Sequence, residues 1–345
     1  MALDMRVLIT GGGGFLGRRV AVMLRGRGHE VAVFGRHRYP ELERQGIVCH
    51  TGDLLAPAAL ETVCAGRDAV VHAAALAGVW GDARTYFRVN SQGTEEVVRA
   101  CLQQGISRLV FTSSPSVVFG NQPISGGDET LAYPARYLAS YPESKAAAEQ
   151  RVLAANGTPL PGQPGRRLAA CALRPHLIYG PEDPHLLPRL CDLARRRRLW
   201  RIGDGANRVD VTYVDNAAWA HVLALEHLDN SGSPPAGRAY FIGDAAPVRL
   251  WDWAGSMLAR AQLPPVYRHL SLTTALRLGG ALEKLHRALP CLGEPWLTRF
   301  TAAQLGMDHF FRHTRAEADF GYAPIISSDE GMARCFPGME TRPCG

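Results

Sequence analysis

One stretch of this chain gathers residue types that could move a proton and hold an oxygen. Phe111-Thr112-Ser113-Ser114 reads as the end of a strand, and downstream Tyr141-Pro142-Glu143-Ser144-Lys145 opens a helical run of alanines and glutamates. Tyrosine and lysine four apart on a helix share one face. An ammonium close to a phenol favours the phenolate, bringing a group with an ordinary pKa of ~10 nearer to use as a proton donor or acceptor at neutral pH. The lysine can also bond ribose hydroxyls. A serine hydroxyl at the neighbouring strand end supplies a second hydrogen bond to a substrate oxygen. A Tyr-x-x-x-Lys pair alone is common surface decoration, so its meaning depends on what precedes it.

What precedes it is a glycine run. Thr10-Gly11-Gly12-Gly13-Gly14-Phe15-Leu16-Gly17 follows the apolar stretch Arg6-Val7-Leu8-Ile9 and opens a helix-like segment, residues 15–26. A strand, closely spaced glycines and a helix start let backbone N–H groups approach a pyrophosphate where the helix dipole favours negative charge. The spacing Gly11-x-x-Gly14-x-x-Gly17 departs by one residue from the common dinucleotide fingerprint. NAD-type sites place a carboxylate about 20 residues beyond the glycines for the ribose 2′-hydroxyl. Here Val31-Ala32-Val33-Phe34 runs into Gly35-Arg36-His37-Arg38, with no carboxylate at the turn. A guanidinium at that spot can hold a 2′-phosphate by charge-assisted hydrogen bonds. The expected cofactor is therefore NADP, with Arg36 as a contact; if Arg36 and Arg38 are solvated loop charges, NAD binds as well. Asp53, after Thr51-Gly52, either meets the adenine amino group or caps the next helix.

Positioning such groups takes a parallel sheet. Short apolar runs at 6–9, 30–34, 48–52, 69–72, 108–113 and 170–173 alternate with amphipathic stretches at 15–26, 94–104 and from 141. Each parallel strand needs a crossover, so this rhythm implies an α/β Rossmann-type doubly wound sheet with helices on both faces. Its ligands belong beyond the carboxyl ends of the strands. Residues 1–174 read as the dinucleotide-binding domain. Residues 175–345 read as a smaller, mainly helical substrate lobe, with some strands returning to the main sheet.

Within that lobe, 186–199 reads as a helix ending in Arg195-Arg196-Arg197-Arg198, a cluster that suits a solvated helix C-terminus or an anionic membrane surface. Further helices are expected at 215–228, started by Asp215-Asn216, and at 250–261, with a strand at 238–242. Residues 270–311 mix leucines, Trp296, Phe300, Phe310 and Phe311 with Arg277, Glu283, Lys284 and Arg287. They read as a helical cap over an apolar pocket that could at most lie in a membrane interface. Residues 156–167 and 231–237 are Pro/Gly-rich loops, and the tail after Phe336 is expected to be loose.

Composition bounds the class. The 345 residues, 46% hydrophobic and 20% charged, suit one large domain or two packed lobes and exclude a disordered chain. A net charge of +6 suits a phosphate-bearing cofactor or an acidic substrate and does not call for nucleic acid. The eight cysteines show no C-x-x-C pair and no histidine cluster at metal spacing, so neither a metal nor a disulfide scaffold is expected. Reduced thiols fit a cytoplasmic protein. The first strand begins within a few residues of Met1, leaving no room for a signal peptide, and no apolar run is long enough to cross a bilayer.

Over nearly its whole length the chain resembles the extended short-chain dehydrogenase/reductases. The residues that carry this are Gly11, Gly14 and Gly17 in their run, Gly52-Asp53-Leu54, Val71-His72-Ala73-Ala74, Val89-Asn90-x-x-Gly93-Thr94, Thr112-Ser113-Ser114, Tyr141-x-x-x-Lys145 and Leu173-Arg174-Pro175. Arg18-Arg19, Ile178-Tyr179-Gly180-Pro181 and residues 211–221 are similar to the 3β-hydroxysteroid dehydrogenase branch. The resemblance implies Tyr141 as general acid/base, Lys145 as its tuner and ribose anchor, and Ser114 as the hydroxyl on the substrate oxygen. Cofactor contacts would come from Gly11, Gly14, Phe15, Leu16, Gly17, Asp53, Leu54, Ala73, Ala74, Asn90 and Pro175.

It further implies hydride transfer between NAD(P) and a 3-hydroxyl or 3-ketone of a lipid or sterol. That substrate would be a 4-carboxysterol, with decarboxylation, or a 2-alkyl-3-oxoalkanoate. Both are β-hydroxy or β-keto acids, and a β-keto acid loses carbon dioxide because the carbanion delocalises onto the ketone. Trp80 and Ser116 lie in stretches similar to such relatives, and His176, His185 and Arg189 are candidates for a positive pocket wall. His176 could instead pack behind the sheet, and Arg189 could pair with a carboxylate. The resemblance also implies a homodimer through residues 94–104 and 141–153, and leaves room for a peripheral membrane contact. A nucleotide-sugar epimerase or dehydratase of the same fold, or a non-catalytic NADP-binding regulator, are the alternatives.

Overall fold

The computed structural model describes residues 4–229 and 232–336. The expectation for the tail after Phe336, and for Ser231 in the loop at 231–237, lies outside the described residues. The first two strands, β1 (Arg6–Thr10) and β2 (Glu30–Gly35), lie parallel and flank the glycine run and helix α1 (Phe15–Gly26). Parallel pairing continues through β3 (Val48–Thr51), β4 (Ala69–His72), β5 (Arg108–Thr112), β7 (Ala169–Pro175) and β12 (Ala239–Ile242). The order across this seven-stranded sheet is β12-β7-β5-β4-β1-β2-β3.

The inner strands are apolar on both faces because both faces are covered, whereas edge strand β3 stays partly exposed. Val7 and Ile9 of β1, with Val31 and Val33 of β2, face one core, built with α1 and α8 (Val214–His227). Leu8, Ala32 and Phe34 face the other, built with α3 (Pro57–Cys64), α5 (Gly93–Gln103) and α6 (Ser140–Ala155). Chain direction across the sheet reverses between β1 and β4. The main-chain crevice therefore opens there, beyond Thr10 and His72, which face each other in register.

The remaining elements lie outside the main sheet. Short helices α2 (Pro40–Glu43) and α4 (Ala83–Tyr86) lie in the first half, and α5 is entered through a π-helical turn, Phe87–Gln92. A four-stranded sheet, ordered β13-β10-β15-β6, joins β6 (Ile124–Gly127) to β10 (Arg208–Val209), β13 (Val248–Arg249) and β15 (His309–Phe311). Two further parallel pairs are β8 (Ile178–Tyr179) with β11 (Thr212–Tyr213) and β9 (Trp200–Ile202) with β14 (Arg268–Leu270). The helices here are α7 (Leu186–Arg195), α9 (Leu250–Arg260), α10 (Leu272–Ala288), α11 (Arg299–Gly306), α12 (Thr314–Phe320) and α13 (Ser328–Cys335).

Two expectations are corrected. The helix read over 186–199 stops at Arg195: Arg197 takes φ +54°, turning the chain so that Leu199 is buried and β9 can pair with β14. The segment 270–311 is helical through α10, a 3-10 turn at Pro290–Leu292 and α11, and ends as β15, because Phe310 and Phe311 align with Ser125 and Gly127 of β6. No described helix is long and apolar enough to cross a membrane.

Candidate active site

The dinucleotide side is built mainly from backbone. Gly11 sits at φ +70°, and a Cβ there would come within 2.7 Å of the Ala74 main chain. A Cβ on Gly17 would overlap the Gly11 carbonyl oxygen. The loop is thus packed so closely that only glycine fits at these two positions. No acidic residue occupies the first turn of α1, whose N-terminus faces the loop. Around it lies a cleft of about 490 Å³ lined by Gly11, Gly14, Arg36, Asp53, Leu54, Ala73 and Ala74, among others.

This cradle fits a nicotinamide dinucleotide, and just past β5 the buried Ser113 hydroxyl has no hydrogen-bond partner among the described residues. Gly17 and Leu16 are buried beneath the loop. Asp53 lines the cleft and its Oδ1 accepts from the Leu55 N–H at 2.9 Å, but it does not cap α3, whose N-cap is Ala56 with no side-chain cap hydrogen bond. Asn90, in the π-helical turn, clamps the chain after Ala74. Its Oδ1 accepts from the Leu76 N–H (2.7 Å), and its Nδ2 donates to the Leu76 carbonyl and to Ser144 Oγ (3.0 Å each). His72 bridges two threonines below the crevice, Nδ1 to Thr10 Oγ1 at 2.6 Å and Nε2 to Thr94 Oγ1 at 2.8 Å. Thr94 gives its proton to the Asn90 carbonyl (2.5 Å), so His72 donates through Nε2 and accepts at Nδ1. Burial lowers its pKa to about 3 and keeps it neutral.

The proton-handling side lies where β5 ends against α6. Ser114 Oγ is 2.9 Å from Ser116 Oγ. Burial pushes the Tyr141 phenol up to about 12, against the pull of a hydrogen bond with Ser114. Burial brings Lys145 down to about 7, while Glu149 raises it. Lys145 Nζ donates to the Thr112 carbonyl at 2.5 Å and lies 4.0 Å from the centre of the Phe111 ring. In the free protein the phenol is governed by burial, with Ser114 and Tyr86 as its neighbours, while the Lys145 amine is directed to the Thr112 carbonyl.

Behind the lysine, one helical turn on, Glu149 is fully buried and joined to Arg174 by bonds of 2.5 and 2.9 Å; Tyr133 also donates to it at 2.7 Å. Thr112 is held from its other side by His221. The Nδ1 of that ring bonds the Ala217 carbonyl at 2.7 Å, leaving Nε2 to accept from Thr112 Oγ1 at 2.8 Å. Sequence reasoning missed Glu149 and His221. The i, i+4 spacing from Lys145 was the available signal for the first, and none existed for the second.

Across Tyr86, whose ring meets Tyr141 edge-on at 6.4 Å, opens a second cavity of about 660 Å³. It lies between the loop at 79–82, the start of α6 and the end of α10. Trp80 stands in its wall, with the Arg287 guanidinium 5.7 Å above its ring and the Tyr86 hydroxyl donating to its carbonyl at 3.1 Å. Glu283, buried in α10, holds Arg299 at 2.8 Å. The three expected members of a positive wall line neither cavity. His176 is buried, its Nε2 2.5 Å from His309 Nδ1; His185 is exposed at the cap of α7; Arg189 pairs with Glu294 at 3.0 Å. Pro175 ends β7 opposite Ile242 of β12.

A parallel sheet with its cleft at the switch point, and a phenol, a hydroxyl and an amine gathered at the next strand end, is the architecture of the extended short-chain dehydrogenase/reductases. Within that class the chain belongs to the 3-beta hydroxysteroid dehydrogenase/isomerase family, whose model matches residues 8–268. It is 45% identical over 332 residues to the 2-alkyl-3-oxoalkanoate reductase of Stenotrophomonas maltophilia, covering 96% of this chain and 98% of that one. It is 32% identical over 329 residues to the decarboxylating sterol-4-alpha-carboxylate 3-dehydrogenase of Mus musculus, covering 94% and 88%. Among solved structures, MoeE5 in complex with UDP-glucuronic acid and NAD superposes with a TM-score of 0.71 at 26% identity, over 95% of this chain and 96% of that one. The family is NAD(P)-dependent and its members are oxidoreductases of a CH–OH or keto group.

Proposed function

We propose that the protein is an NADPH-dependent reductase of the 3-oxo group of a lipid-like β-keto acid, of the 2-alkyl-3-oxoalkanoate class. The observation that carries this reading is the geometry where β5 ends against α6, which brings the Ser114 hydroxyl, beside Ser116 Oγ, together with Tyr141 and, one helical turn on, Lys145. When bound, a reduced nicotinamide supplies the hydride that reduces the carbonyl carbon. Tyr141 donates its phenolic proton to the substrate oxygen, and a phenol kept at about 12 is a donor throughout the neutral range. Ser114 Oγ donates a hydrogen bond to the same oxygen and orients it. Lys145, near 7, holds a proton that can pass to the phenolate left behind.

The whole-length similarity to a 2-alkyl-3-oxoalkanoate reductase supports the substrate class, and the absence of a carboxylate after β2 supports NADPH. A homodimer through the outer faces of α5 and α6 goes with this reading; a monomer on sedimentation at micromolar concentration removes it.

The reading is tested by following absorbance at the reduced-nicotinamide band. Purified protein is offered NADP⁺ or NAD⁺ with a 2-alkyl-3-hydroxyalkanoate or a 3β-hydroxy-4α-carboxysterol. Turnover on the alkanoate with NADP⁺ is the expected result. Turnover on the sterol alone, favoured by the similarity to the sterol dehydrogenase, makes the protein an oxidative decarboxylase. Silence on both overturns the reading in favour of a nucleotide-sugar enzyme.

A further inference from the structure

The loop at 76–82 is tied down by the run that follows it. Asn90 holds Leu76 by both of its main-chain groups, and at the far end the Asp82 carboxylate accepts from the N–H and Oγ1 of Thr85, at 2.9 Å each. Between these ends stands Tyr86, whose hydroxyl donates to the Trp80 carbonyl at 3.1 Å. The loop is shaped around this tyrosine. Gly78 and Gly81 take φ +137° and +145°; a Cβ on the first would come within 2.6 Å of the Tyr86 hydroxyl, and one on the second within 3.3 Å of its ring. Glycine at both places lets the main chain close around the phenol.

Tyr86 is only 4% exposed, so its hydroxyl needs a partner, and the Trp80 carbonyl is that partner. What the bond holds in place is the Trp80 indole. The His286 ring meets it edge-on at 6.3 Å, and the Arg287 guanidinium lies 5.7 Å from its centre. Both residues belong to the last turn of α10. Arg287 has no ion pair among the described residues, so the indole is the group on which its charge rests. Trp80 therefore joins the loop to α10 across the second cavity, and one hydrogen bond from a neighbour of Tyr141 sets its position.

We infer that Tyr86 is a positioning residue for substrate choice: by holding the Trp80 carbonyl it fixes the indole against α10, and so sets the wall that receives the alkyl chains of the substrate. This rests on the reductase reading, with the substrate oxygen at Tyr141 and the chains running past Tyr86 into the second cavity. A tyrosine that merely filled the core would affect long and short substrates alike.

The dependence of KM on chain length tests this. Oxidation of 2-hexyl-3-hydroxydecanoate and of 2-methyl-3-hydroxybutyrate is followed at the reduced-nicotinamide band, with whichever of NADP⁺ and NAD⁺ the unaltered protein uses. Tyr86→Phe keeps the ring and loses only the hydroxyl. It should raise KM for the long acid about fivefold, the scale of one neutral hydrogen bond, with kcat held within about twofold. KM for the short acid should not change, because its four-carbon backbone spans only about 4 Å and ends before Trp80. Trp80→Ala should raise the long-acid KM further, and adding Tyr86→Phe to it should add nothing, the non-additivity expected of a residue that acts through its neighbour. This cycle needs the long acid alone. An unchanged long-acid KM in Tyr86→Phe, an equal rise on both acids, or additive effects in the double variant overturns the proposal and leaves the reductase reading standing. An unaltered protein that turns over neither acid overturns the reductase reading, and the proposal falls with it.

Discussion

The two cavities on either side of Tyr86 are made of different material. The dinucleotide cleft is built around main chain, namely a glycine loop, strand ends in register and a helix N-terminus with no acid in its first turn, with side chains such as Arg36, Leu54 and Arg88 completing its lining. The second cavity is walled by side chains from three segments far apart in sequence, with Trp80, Tyr86 and Arg287 meeting across it and Glu283 pinning Arg299. Backbone geometry tolerates little change without losing the ligand, whereas a side-chain wall can be rebuilt one residue at a time. The glycine-loop side is thus the harder part to alter, and the α10 wall is the part whose shape a single substitution changes.

Several substitutions break or sharpen this contrast. Tyr141→Phe, at the seam between the halves, should lower kcat about 10³-fold, the scale of a lost general acid. Dinucleotide affinity by calorimetry should persist, and unchanged turnover would remove Tyr141 from the chemistry and revive a non-catalytic role. Glu149→Leu should cost about 3–5 kcal/mol of unfolding free energy in urea, because it strands the buried Arg174 charge. A cost below about 1 kcal/mol would show that the pair is not what anchors α6.

Acid should weaken both halves, because buried neutral histidines stand in each: His72 and His221 beside the main sheet, His176 and His309 in the second lobe. His72 and His221 are buried and neutral, held at about 3 and about 4, against an ordinary value of 6.5. Between those values the unfolded chain binds protons that the folded chain refuses. Their contribution is therefore complete above pH 6.5, and it falls by about 1.4 kcal/mol per histidine for each pH unit below that, down to about 4. Denaturant midpoints at pH 7.5 and 5 that coincide would contradict this. The smallest effect belongs to Trp80→Ala, which should raise the substrate KM about tenfold, roughly 1.4 kcal/mol, with dinucleotide affinity unchanged. A parallel loss of dinucleotide affinity would mean that the two cavities are one.

The same division governs what could be read in advance. The strands of the main sheet, α1, α5 and α6 stood out because each carries a period or an apolar run longer than its neighbours, and Ala239–Ile242 was recognisable as a returning strand. The four-stranded sheet of the second lobe was not, since β10 and β13 are two residues each and have no period to show. Arg195 to Arg198 suggested a longer helix because composition carries no sign of the positive φ at Arg197. His176 and Arg189 looked like a charged wall until His309 and Glu294, more than 100 residues downstream, were seen beside them.

Sequence by itself determined the parallel sheet, the glycine loop and the Ser114, Tyr141 and Lys145 positions, because these depend on local spacing and on a backbone that permits few alternatives. Only the tertiary structure decided that Lys145 donates to Thr112, that Glu149 and His221 brace it, that Tyr39 lies on Gly13, and that Trp80 faces Arg287. Those facts depend on desolvation and on which side chains packing brings within a few ångströms, and neither quantity is written in the order of residues along the chain.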